Sequence, residues 1–412
     1  MSPRPQPQAQ ASTIPYLDAA GLRTQLMAWY GAGHRNLPWR ATDDPYAIWV
    51  SEIMLQQTRA SVAADHYRAF IERFPTLSSL ADAADQEVLA RWSGLGYYNR
   101  ARMLHKAARF VMSALDGVLP RTAAELRTLP GIGSYTAAAI ASIAHGEAVG
   151  VVDGNVERVI ARLVGIDLTG KGAARRQVEA VANQLVDPRQ PGEFNQAMME
   201  LGATICLPRK PSCGICPVVE HCQTRGEHAT PPRPRMTSRK ASYALIVRKR
   251  AEPQQGVNQP LSGPVRANGN TDVNMGLTSA GPKQRSSSRR KTVANIDSFL
   301  HREILLEQRP VTQTVMAGMW ELPALASLRV PAGGLQMSLR HAIMQVNYDV
   351  DIRSVMETDA DQFTVVGGER RWVRMGEAWE MALTGLTRKV LRRAQLIAIS
   401  SKAIVSEDED AG

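Results

Sequence analysis

The stretch from residue 129 to residue 155, LPGIGSYTAAAIASIAHGEAVGVVDGN, constrains the fold of this chain more than any other. A capping box at residues 122–125 predicts the start of a helix that ends at Leu129, the first residue of this stretch. Pro130 ends that helix, and Gly131 and Gly133 supply turn geometry that residues with a Cβ resist. The sequence therefore predicts a sharp, glycine-rich turn between two helices.

The second helix of this hairpin is predicted from Tyr135 to Ala144, with Gly146 in the stop position. Backbone N–H groups at the start of a helix form a seat for phosphate, so the hairpin is typical of a nucleic acid partner. An ordinary pair of packed helices with a glycine turn is the alternative. The hairpin alone does not decide between these two interpretations.

With 412 residues the chain is long enough for two or more domains, and its net charge of +10 suits a polyanionic partner. No apolar run in it approaches the ~20 residues of a membrane span, so we expect no membrane partner. Residues 1–17 are Pro/Gln-rich without an apolar core, which predicts a disordered tail and no secretory signal. A cytoplasmic protein is the resulting expectation.

Residues 18–202 are expected to be helical throughout, and one helix begins at Asp44-Pro45, with an acidic cap and a proline in its first turn. This helix surrounds Glu52 with apolar neighbours. Glu52 either lies on the solvent face or is a desolvated carboxyl with a raised pKa, able to donate a proton. Three polar residues follow that either end the helix or contact a ligand: Gln56, Gln57 and Thr58.

Two glycines precede Tyr97 and Tyr98 in the stretch from residue 94 to residue 100. The two rings either pack in the core or stack on nucleic acid bases, since aromatic side chains insert between unstacked bases. Several basic residues follow on the next helix, which would suit a contact with DNA.

A carboxylate, Asp153, follows the apolar run that leaves the hairpin. Asp153 or Asn155 is expected to cap the next helix, where free N–H groups stabilise an anion. As a simple cap Asp153 would be unremarkable. Cleavage of a glycosidic bond, however, needs two carboxyls, one with a raised pKa and one ionised, and Glu52 with Asp153 would form such a pair.

All the cysteines lie in one segment with the spacing Cys206-x6-Cys213-x2-Cys216-x5-Cys222. Disulfides would be unusual in a chain without an export signal. Four thiolates suit zinc, but this compact spacing is unlike the paired Cys-x2-Cys arms of zinc ribbons and favours an iron–sulfur cluster. Between the first two cysteines, a pinned loop would present Arg209 and Lys210 to phosphate.

Taken together, these residues resemble the adenine DNA glycosylase (MutY) family, within the helix-hairpin-helix base-excision glycosylases. The matching segments run in order from about residue 18 to residue 225. They are LPW at 37–39, WVSEIMLQQT at 49–58, GLGYY at 94–98, LPGIG at 129–133, VDGN at 152–155, FNQAMMELG at 194–202 and the four cysteines.

The resemblance implies an all-α glycosylase domain over residues 18–225, with DNA held between two helical subdomains and a 4Fe-4S cluster on the four cysteines. Glu52 would be the general acid that protonates a flipped-out adenine. Asp153 would stabilise the oxocarbenium-like sugar or trap it briefly as an adduct. Asn155 and Tyr135 would support the sugar and the carboxylates.

The family's DNA contacts carry over to several positions of this sequence. Tyr97 and Gln57 would fill or wedge the gap near the opposite base. The remaining implied contacts are Gln56, Thr58, Gly131, Gly133, Arg209, Lys210 and His341. Related lyases place a lysine at the position of Tyr135, because a Schiff base to the sugar needs an amine. The tyrosine therefore predicts a monofunctional glycosylase with weak or no strand cleavage.

The last third of the chain resembles the Nudix-related domain of the same family. A Pro/basic linker is predicted at 226–240, and an α+β domain at 241–398, with strands at 242–248 and 299–307. Between these strands, residues 251–294 cannot bury a core and are predicted to be a disordered insertion in one β-hairpin. An acidic tail follows at 399–412.

In that family the C-terminal domain checks the base opposite the adenine. The segments that carry the resemblance lie at 308–310, 316–323, 339–341 and 383–389. The paired acids of the Nudix hydrolase box do not follow Trp320, so we predict lesion reading without phosphohydrolase activity. Relatives use a Phe-Ser-His loop for the lesion. Here the aligned residues are Leu339, Arg340 and His341, so only the histidine carries over, and a packing histidine is the alternative.

The sequence thus predicts a monomeric DNA repair enzyme, cytoplasmic and nucleoid-associated, that excises adenine opposite 8-oxoguanine or guanine. Its partner would be double-stranded DNA with such mispairs. A thymine or oxidised-pyrimidine glycosylase is one rival interpretation. A non-catalytic iron–sulfur protein that binds DNA is another, but mere binding would need neither Glu52 nor Asp153.

Overall fold

The computed structural model describes residues 17–226, 235–249, 302–313, 315–327, 333–343, 345–362 and 368–394. The predicted tails, the insertion at 251–294 and most of the predicted linker lie outside these described residues. The chain divides into two compact units. One comprises Met1–Met236 with Gln313–Met319, and the other comprises Thr237–Thr312 with Trp320–Gly412.

The first unit is helical, as the sequence predicts for residues 18–202. Its helices are α1 (Ala19–Ala32), α2 (Pro45–Leu55), α3 (Ala60–Arg73), α4 (Leu77–Ala81), α5 (Asp85–Trp92), α6 (Asn99–Ala114), α7 (Ala123–Leu126), α8 (Ser134–His145), α9 (Gly154–Val164), α10 (Lys171–Leu185) and α11 (Pro191–Thr204). None of the described helices is both long and apolar enough to cross a membrane.

Helix α2 is a buried helix in this unit, because nearly every residue from Tyr46 to Met54 is apolar and inaccessible to solvent. Asp44 caps it by accepting a hydrogen bond from the Tyr46 amide at 3.0 Å, and Pro45 occupies its first turn. Helices α3, α6 and α8 pack around it. A second apolar core joins α1 to α9, α10 and α11.

The helical hairpin forms largely as its sequence predicts. Thr122 and Glu125 make the reciprocal bonds of a capping box, although α7 ends at Leu126, earlier than predicted. Gly131 has a φ of 76°, and a Cβ there would lie 2.5 Å from the Cβ of Met103, so only glycine fits.

The predicted turn role of Gly133 is wrong. Its φ of −90° and ψ of 178° are extended values that any residue adopts, and a Cβ there would meet open space. The missing side chain instead leaves the start of α8 accessible. A glycine at this place suits the approach of a ligand to the helix N-terminus.

The second unit contains two sheets and is of the α+β class. Its elements are β1 (Thr237–Leu245), β2 (Val247–Lys249), β3 (Arg302–Gln308), β4 (Trp320–Glu321), β5 (Leu335–Ile343), β6 (Val346–Ser354), β7 (Arg370–Arg374), α12 (Met375–Ala378) and α13 (Gly385–Arg393). One sheet has the order β1-β6-β5, with β1 parallel to β6. In the other, β3 pairs antiparallel with β2, β4 and β7.

The strands locate two sequence features. β2 and β3, which flank the predicted insertion, pair antiparallel with Val247 opposite Ile304, as expected for a hairpin. β1 begins at Thr237, inside the stretch predicted as linker, because it pairs with β6 from Val346 onward. An apolar core forms between the sheets and α13, and it includes Trp320 and Leu386.

Candidate active site

An open cavity of about 1190 Å³ lies in the helical unit and brings together side chains that are far apart in sequence. Residues from α2, α8, α11 and the start of α9 line it. Seven of the sequence-predicted site residues are among them: Glu52, Gln56, Gln57, Thr58, Tyr135, Asp153 and Asn155. Tyr97, Gly131, Gly133, Arg209, Lys210 and His341 are not among the residues that line this cavity.

Glu52 is a desolvated carboxyl, since its residue is only 3% exposed. Burial raises its pKa to about 7, and the nearby Asp153 adds to the rise, while the Tyr135 hydrogen bond and Arg40 oppose it. The interpretation of Glu52 as a side chain on the solvent face is therefore wrong. A carboxyl with a pKa near 7 is partly protonated at neutral pH, as general acid catalysis requires.

Tyr135 orients this acid. Its hydroxyl donates a hydrogen bond to the Glu52 carboxylate and lies 3.6 Å from the Met199 sulfur. Burial and the neighbouring Glu52 raise the pKa of Tyr135 well above its ordinary value. The hydroxyl therefore keeps its proton at neutral pH and acts as a donor.

Asp153 is the N-cap of α9, as predicted. One carboxylate oxygen accepts hydrogen bonds from the amides of Asn155 (2.9 Å) and Val156 (2.7 Å). The other oxygen accepts a bond from the Asn155 side-chain amide at 3.0 Å. These donors and the helix N-terminus stabilise the anion and fix its direction.

The segment just before Asp153, at residues 149–152, is held by the side chain of Asn195, which is 2% exposed. The side chain of Asn195 accepts from the Val151 amide at 3.1 Å and donates to the Val149 carbonyl at 2.9 Å. It also donates to the Ser142 hydroxyl on α8 at 3.0 Å. The hairpin and the carboxylate are thereby fixed to one another.

Sequence reasoning missed a charged cluster on the cavity wall. Glu200, whose side chain is 2% exposed, accepts from Arg35 at 2.8 Å and from Arg40 at 2.7 Å. Although burial opposes ionisation, these two guanidinium groups lower the pKa of Glu200 to about 2. Both arginines line the cavity. Glu200 lies in a segment that carries the family resemblance, at 194–202, and the two arginines flank another, at 37–39, so these segments could have pointed to the cluster.

The loops expected to contact DNA have unusual backbone geometry. Gln57 and Tyr97 have φ values of 60° and 47°, which non-glycine residues rarely adopt. Tyr98 is buried and therefore packs in the core, whereas Tyr97 is 49% exposed, and its contact with nucleic acid bases stays a prediction. Gln56 ends α2 and donates to the Thr136 hydroxyl at 3.2 Å. Arg209 and Lys210 are exposed.

The four cysteines are free and half-buried. Cys206, Cys213, Cys216 and Cys222 line one small cavity of about 30 Å³. Burial raises the pKa of the Cys216 thiol, and its three cysteine neighbours add to the rise. Arg162 donates to the Cys206 sulfur at 3.3 Å. Four sulfurs around a common space, with a cation beside them, fit an anionic metal–thiolate group.

A hydrogen-bonded path links this loop to the Asp153 carboxylate. Arg158 donates to the Cys206 carbonyl at 2.8 Å and to the Asn155 side-chain oxygen at 2.9 Å. Asn155 in turn donates to Asp153. The cysteine loop thus helps to fix the residues around Asp153.

His341 lies in strand β5 and not in a loop, because it pairs with Tyr348 of β6. It is partly buried against the start of α13, where a Cβ on Gly385 would lie 3.6 Å from its ring. Burial lowers the pKa of His341, and the Lys389 charge adds to this effect. The expectation of a lesion-reading loop at residues 339–341 is therefore corrected to a strand.

Comparison with known proteins first defines the class. The model of the HhH-GPD superfamily of base excision DNA repair proteins matches residues 50–188. The model of the iron–sulfur binding domain of endonuclease III matches residues 206–222, which contain all four cysteines. The chain is thus a helix-hairpin-helix protein of base excision repair with an iron–sulfur binding domain.

Relatives define the family more closely. The adenine DNA glycosylase of Mus musculus is 40% identical over 345 residues, covering 77% of this chain and 64% of the mouse protein. That of Mycolicibacterium smegmatis is 45% identical over 202 residues, covering 49% of this chain and 68% of the relative. The chain belongs to the adenine DNA glycosylase family, which confirms the resemblance drawn from its motifs.

The similarity covers only part of the mammalian relatives. The chain spans only about three fifths of the length of the mammalian relatives, with 64% for mouse and 58% for Homo sapiens. A solved structure of a thermostable thymine-DNA glycosylase has 29% identity and a TM-score of 0.46, and the match covers 50% of this chain and 96% of that chain.

The environment of Glu52 predicts a pH-dependent stability. A folded-state pKa of about 7, against an ordinary 4.5, means that the folded state holds this proton more tightly. The resulting stabilisation is complete below pH 4.5 and is lost as the pH rises through 7, by on the order of 3 kcal/mol. Glu52→Gln removes this loss, so we expect thermal unfolding at pH 8 to occur at higher temperature than in wild type, with the difference shrinking at pH 5.

The matched control for this measurement is Glu200→Gln, which should behave in the opposite way. It leaves two guanidinium groups near a neutral side chain, and breaking a buried pair costs about 3–5 kcal/mol. Because the pKa of Glu200 is lowered to about 2, its contribution is present above pH 4.5. A Glu52→Gln variant that is less stable than wild type at pH 8 would contradict the desolvation argument.

Proposed function

We propose that this protein is a DNA glycosylase that excises adenine opposite 8-oxoguanine and, more weakly, opposite guanine. The observation that carries the proposal is one cavity with two carboxyls in contrasting environments. Glu52 is buried with a pKa near 7, and Asp153 is held by three N–H donors at a helix N-terminus. One group suits proton donation and the other suits the stabilisation of a cation.

In the proposed reaction the target adenine leaves the base stack and enters the cavity. Glu52 gives its proton to the base, the N-glycosidic bond breaks, and its electron pair leaves with the neutral adenine. Asp153 stabilises the positive charge that develops on the sugar. A water then bonds to the sugar through its oxygen, and its proton restores the acid form of Glu52. The product is an abasic site.

Supporting residues keep the two carboxyls in place. Tyr135 donates to Glu52, and Asn155 donates to Asp153, so neither carboxyl has to reorient when the base enters. The Arg35–Glu200–Arg40 cluster supplies a rigid polar wall on the same cavity. Such preorganised groups can bind the edge of a base through hydrogen bonds.

We further propose that the enzyme is monofunctional. A lyase needs an amine to form a Schiff base with the sugar, and position 135 carries a tyrosine. No lysine is found among the described residues that line the cavity. Excision should therefore leave the strand intact until alkali is added.

The four cysteines are proposed to hold a 4Fe-4S cluster. Their arrangement around one small cavity and the match of residues 206–222 to an iron–sulfur binding domain support this proposal over a single zinc. When bound, the cluster would add fixed negative charge and cross-link the loop that carries Arg209 and Lys210. These two exposed side chains would then meet DNA phosphates.

The cluster proposal predicts a brown protein with about four iron and four sulfide per chain, since each thiolate would bind one iron. Cys213→Ser should lower the iron content and weaken DNA binding, because the loop loses a cross-link. Ser212→Ala, a neighbouring change outside the thiolate set, should keep both. Colourless protein with stoichiometric zinc would refute the proposal.

The DNA surface and the second unit complete the proposal. Double-stranded DNA with A:8-oxoguanine or A:G mispairs would be held by the hairpin, by Gln57 and by Tyr97. The sheet-containing unit would be the Nudix-like domain that reads the opposite base, with His341 as its candidate contact. We propose a monomer that acts in the cytoplasm on nucleoid DNA.

The test uses duplexes that contain A opposite 8-oxoguanine, A opposite guanine, and T opposite guanine. After incubation, each sample is divided, and one half receives alkali to cleave abasic sites. We expect alkali-dependent cleavage at adenine, faster opposite 8-oxoguanine, and none at thymine. Cleavage at thymine would favour the pyrimidine glycosylase instead. Tight binding without any abasic site would favour a non-catalytic protein.

A further inference from the structure

One guanidinium group, that of Arg100 on α6, joins the two loops expected to contact DNA. Towards the first loop it donates to the carbonyls of Ile53 (2.7 Å), Met54 (3.0 Å) and Gln56, and to the Thr58 hydroxyl (3.3 Å). Towards the second loop it donates to the carbonyls of Leu95 (3.3 Å) and Gly96 (3.2 Å). Three of these six partners, Gln56, Thr58 and Gly96, are immediate neighbours of Gln57 or Tyr97 in sequence.

Arg100 also lies at the C-terminal end of α2 and beside two aromatic rings. The carbonyls of Ile53 and Met54 belong to the last turn of α2, where helix carbonyls lack partners and attract a cation. The guanidinium also lies 5.3 Å from the Trp92 ring centroid and 5.7 Å from that of Tyr97. The two terminal nitrogens make all of these bonds, one facing the first loop and the other reaching both loops, a spread of donors that a compact ammonium group lacks.

Both loops store backbone strain at the residue that would meet DNA. Gln57 and Tyr97 have φ values of 60° and 47°, left-handed values that strain the backbone of a residue with a Cβ. Strain of this kind persists only where the surroundings determine the backbone firmly. Arg100 donates to the residues on both sides of Gln57 and to Gly96 next to Tyr97, so its hydrogen bonds help to hold each strained position.

We propose that Arg100 is a positioning residue that holds the Gln57 and Tyr97 loops in one rigid arrangement, so that both can enter the base stack while adenine is extruded. This inference rests on the proposed glycosylase function. Arg100 itself would touch neither the base nor the sugar. Its loss should therefore slow extrusion and leave bond cleavage in an already extruded nucleotide nearly unchanged.

The test compares Arg100→Lys with Arg109→Lys. Arg109 lies on the same helix and donates to two carbonyls at and just after the end of α4, those of Ala81 (3.1 Å) and Ala83 (3.0 Å), neither of which is a predicted DNA contact. Extrusion is followed by the fluorescence of 2-aminopurine, which rises on unstacking, in a duplex that carries it in place of the adenine. Single-turnover excision is measured on an A:8-oxoguanine duplex and on one where the adenine faces an abasic analogue.

We expect Arg100→Lys to slow the fluorescence rise and the excision of paired adenine at least about tenfold, because a paired base must be unstacked and unpaired before it enters the cavity. On the unpaired adenine, whose extrusion costs least, its rate relative to wild type should recover to within about threefold. Arg109→Lys should show neither effect. An equal loss on both duplexes, or the same pattern in both variants, would overturn the proposal.

A second variant and the fluorescence measurement cover two cases in which the excision rates of Arg100→Lys would not be informative. If Arg100→Lys does not fold, Thr58→Val removes one contact of the guanidinium without changing charge and should slow extrusion in the same direction, to a smaller extent. An unchanged fluorescence rate in that variant would count against Arg100. If wild type removes no adenine from any duplex, the proposed function fails, while the fluorescence comparison still decides the role of Arg100.

Discussion

Glu52→Gln should lower the single-turnover rate of adenine excision by about 10²–10⁴-fold, the usual contribution of a general acid. Glutamine fills the same volume and can still accept a hydrogen bond from Tyr135, so the cavity should keep its shape. What it lacks is the proton that burial keeps on Glu52 near neutral pH. Excision on an A:8-oxoguanine duplex, followed by alkali, measures the loss.

The same assignment predicts a pH profile. Because only the protonated form of Glu52 can donate, the wild-type rate should be level below pH 7 and fall about tenfold per unit well above it. The residual rate of Glu52→Gln should lack this limb. DNA affinity should change little, which separates a chemical defect from a binding defect. Full activity in the variant would refute the assignment of the acid.

Asp153→Asn should also lower the excision rate, by on the order of 10³-fold, or about 4 kcal/mol of transition-state stabilisation. The asparagine oxygen can still accept the amide bonds of Asn155 and Val156, so α9 keeps its cap. The negative charge that faces the developing sugar cation is lost. Melting temperature and circular dichroism should therefore stay close to wild type while the rate falls.

Asp187→Asn provides the matched control for Asp153→Asn. Asp187 is 6% exposed and accepts a hydrogen bond from the Arg189 amide at 2.9 Å, but it does not line the cavity. Its substitution removes a buried carboxylate of similar local geometry and should leave excision unchanged. Equal losses in the two variants would indicate a general effect on folding and would contradict the catalytic role of Asp153.

Features that depend on neighbouring residues were predictable from sequence. The Asp44 cap, the capping box at 122–125, the Gly146 stop and the Asp153 cap each depend on bonds that span only a few residues. The spacing of the four cysteines likewise predicted an iron–sulfur binding segment, which the family match confirms. Local chemistry of this kind is the same in nearly every fold.

Features that depend on distant residues were not predictable in this way. Glu200 meets Arg35 and Arg40 across at least 160 positions of the chain, and Tyr135 meets Glu52 across 83. Gly133 was misinterpreted because its φ is set by the packing of the hairpin and not by the Gly-x-Gly pattern. His341 was placed in a loop because strand pairing with β6 has no local signal as clear as a helix cap.

The sequence by itself therefore determined the helices, their caps, the cysteine segment and the family. Only the tertiary structure decided the protonation of Glu52. A glutamate between apolar residues of a helix has an ordinary pKa in water, and its pKa rises only when other helices exclude water from it. The role proposed for Arg100 likewise rests on the tertiary structure, since its partners on two loops come within hydrogen-bonding distance only in the folded chain.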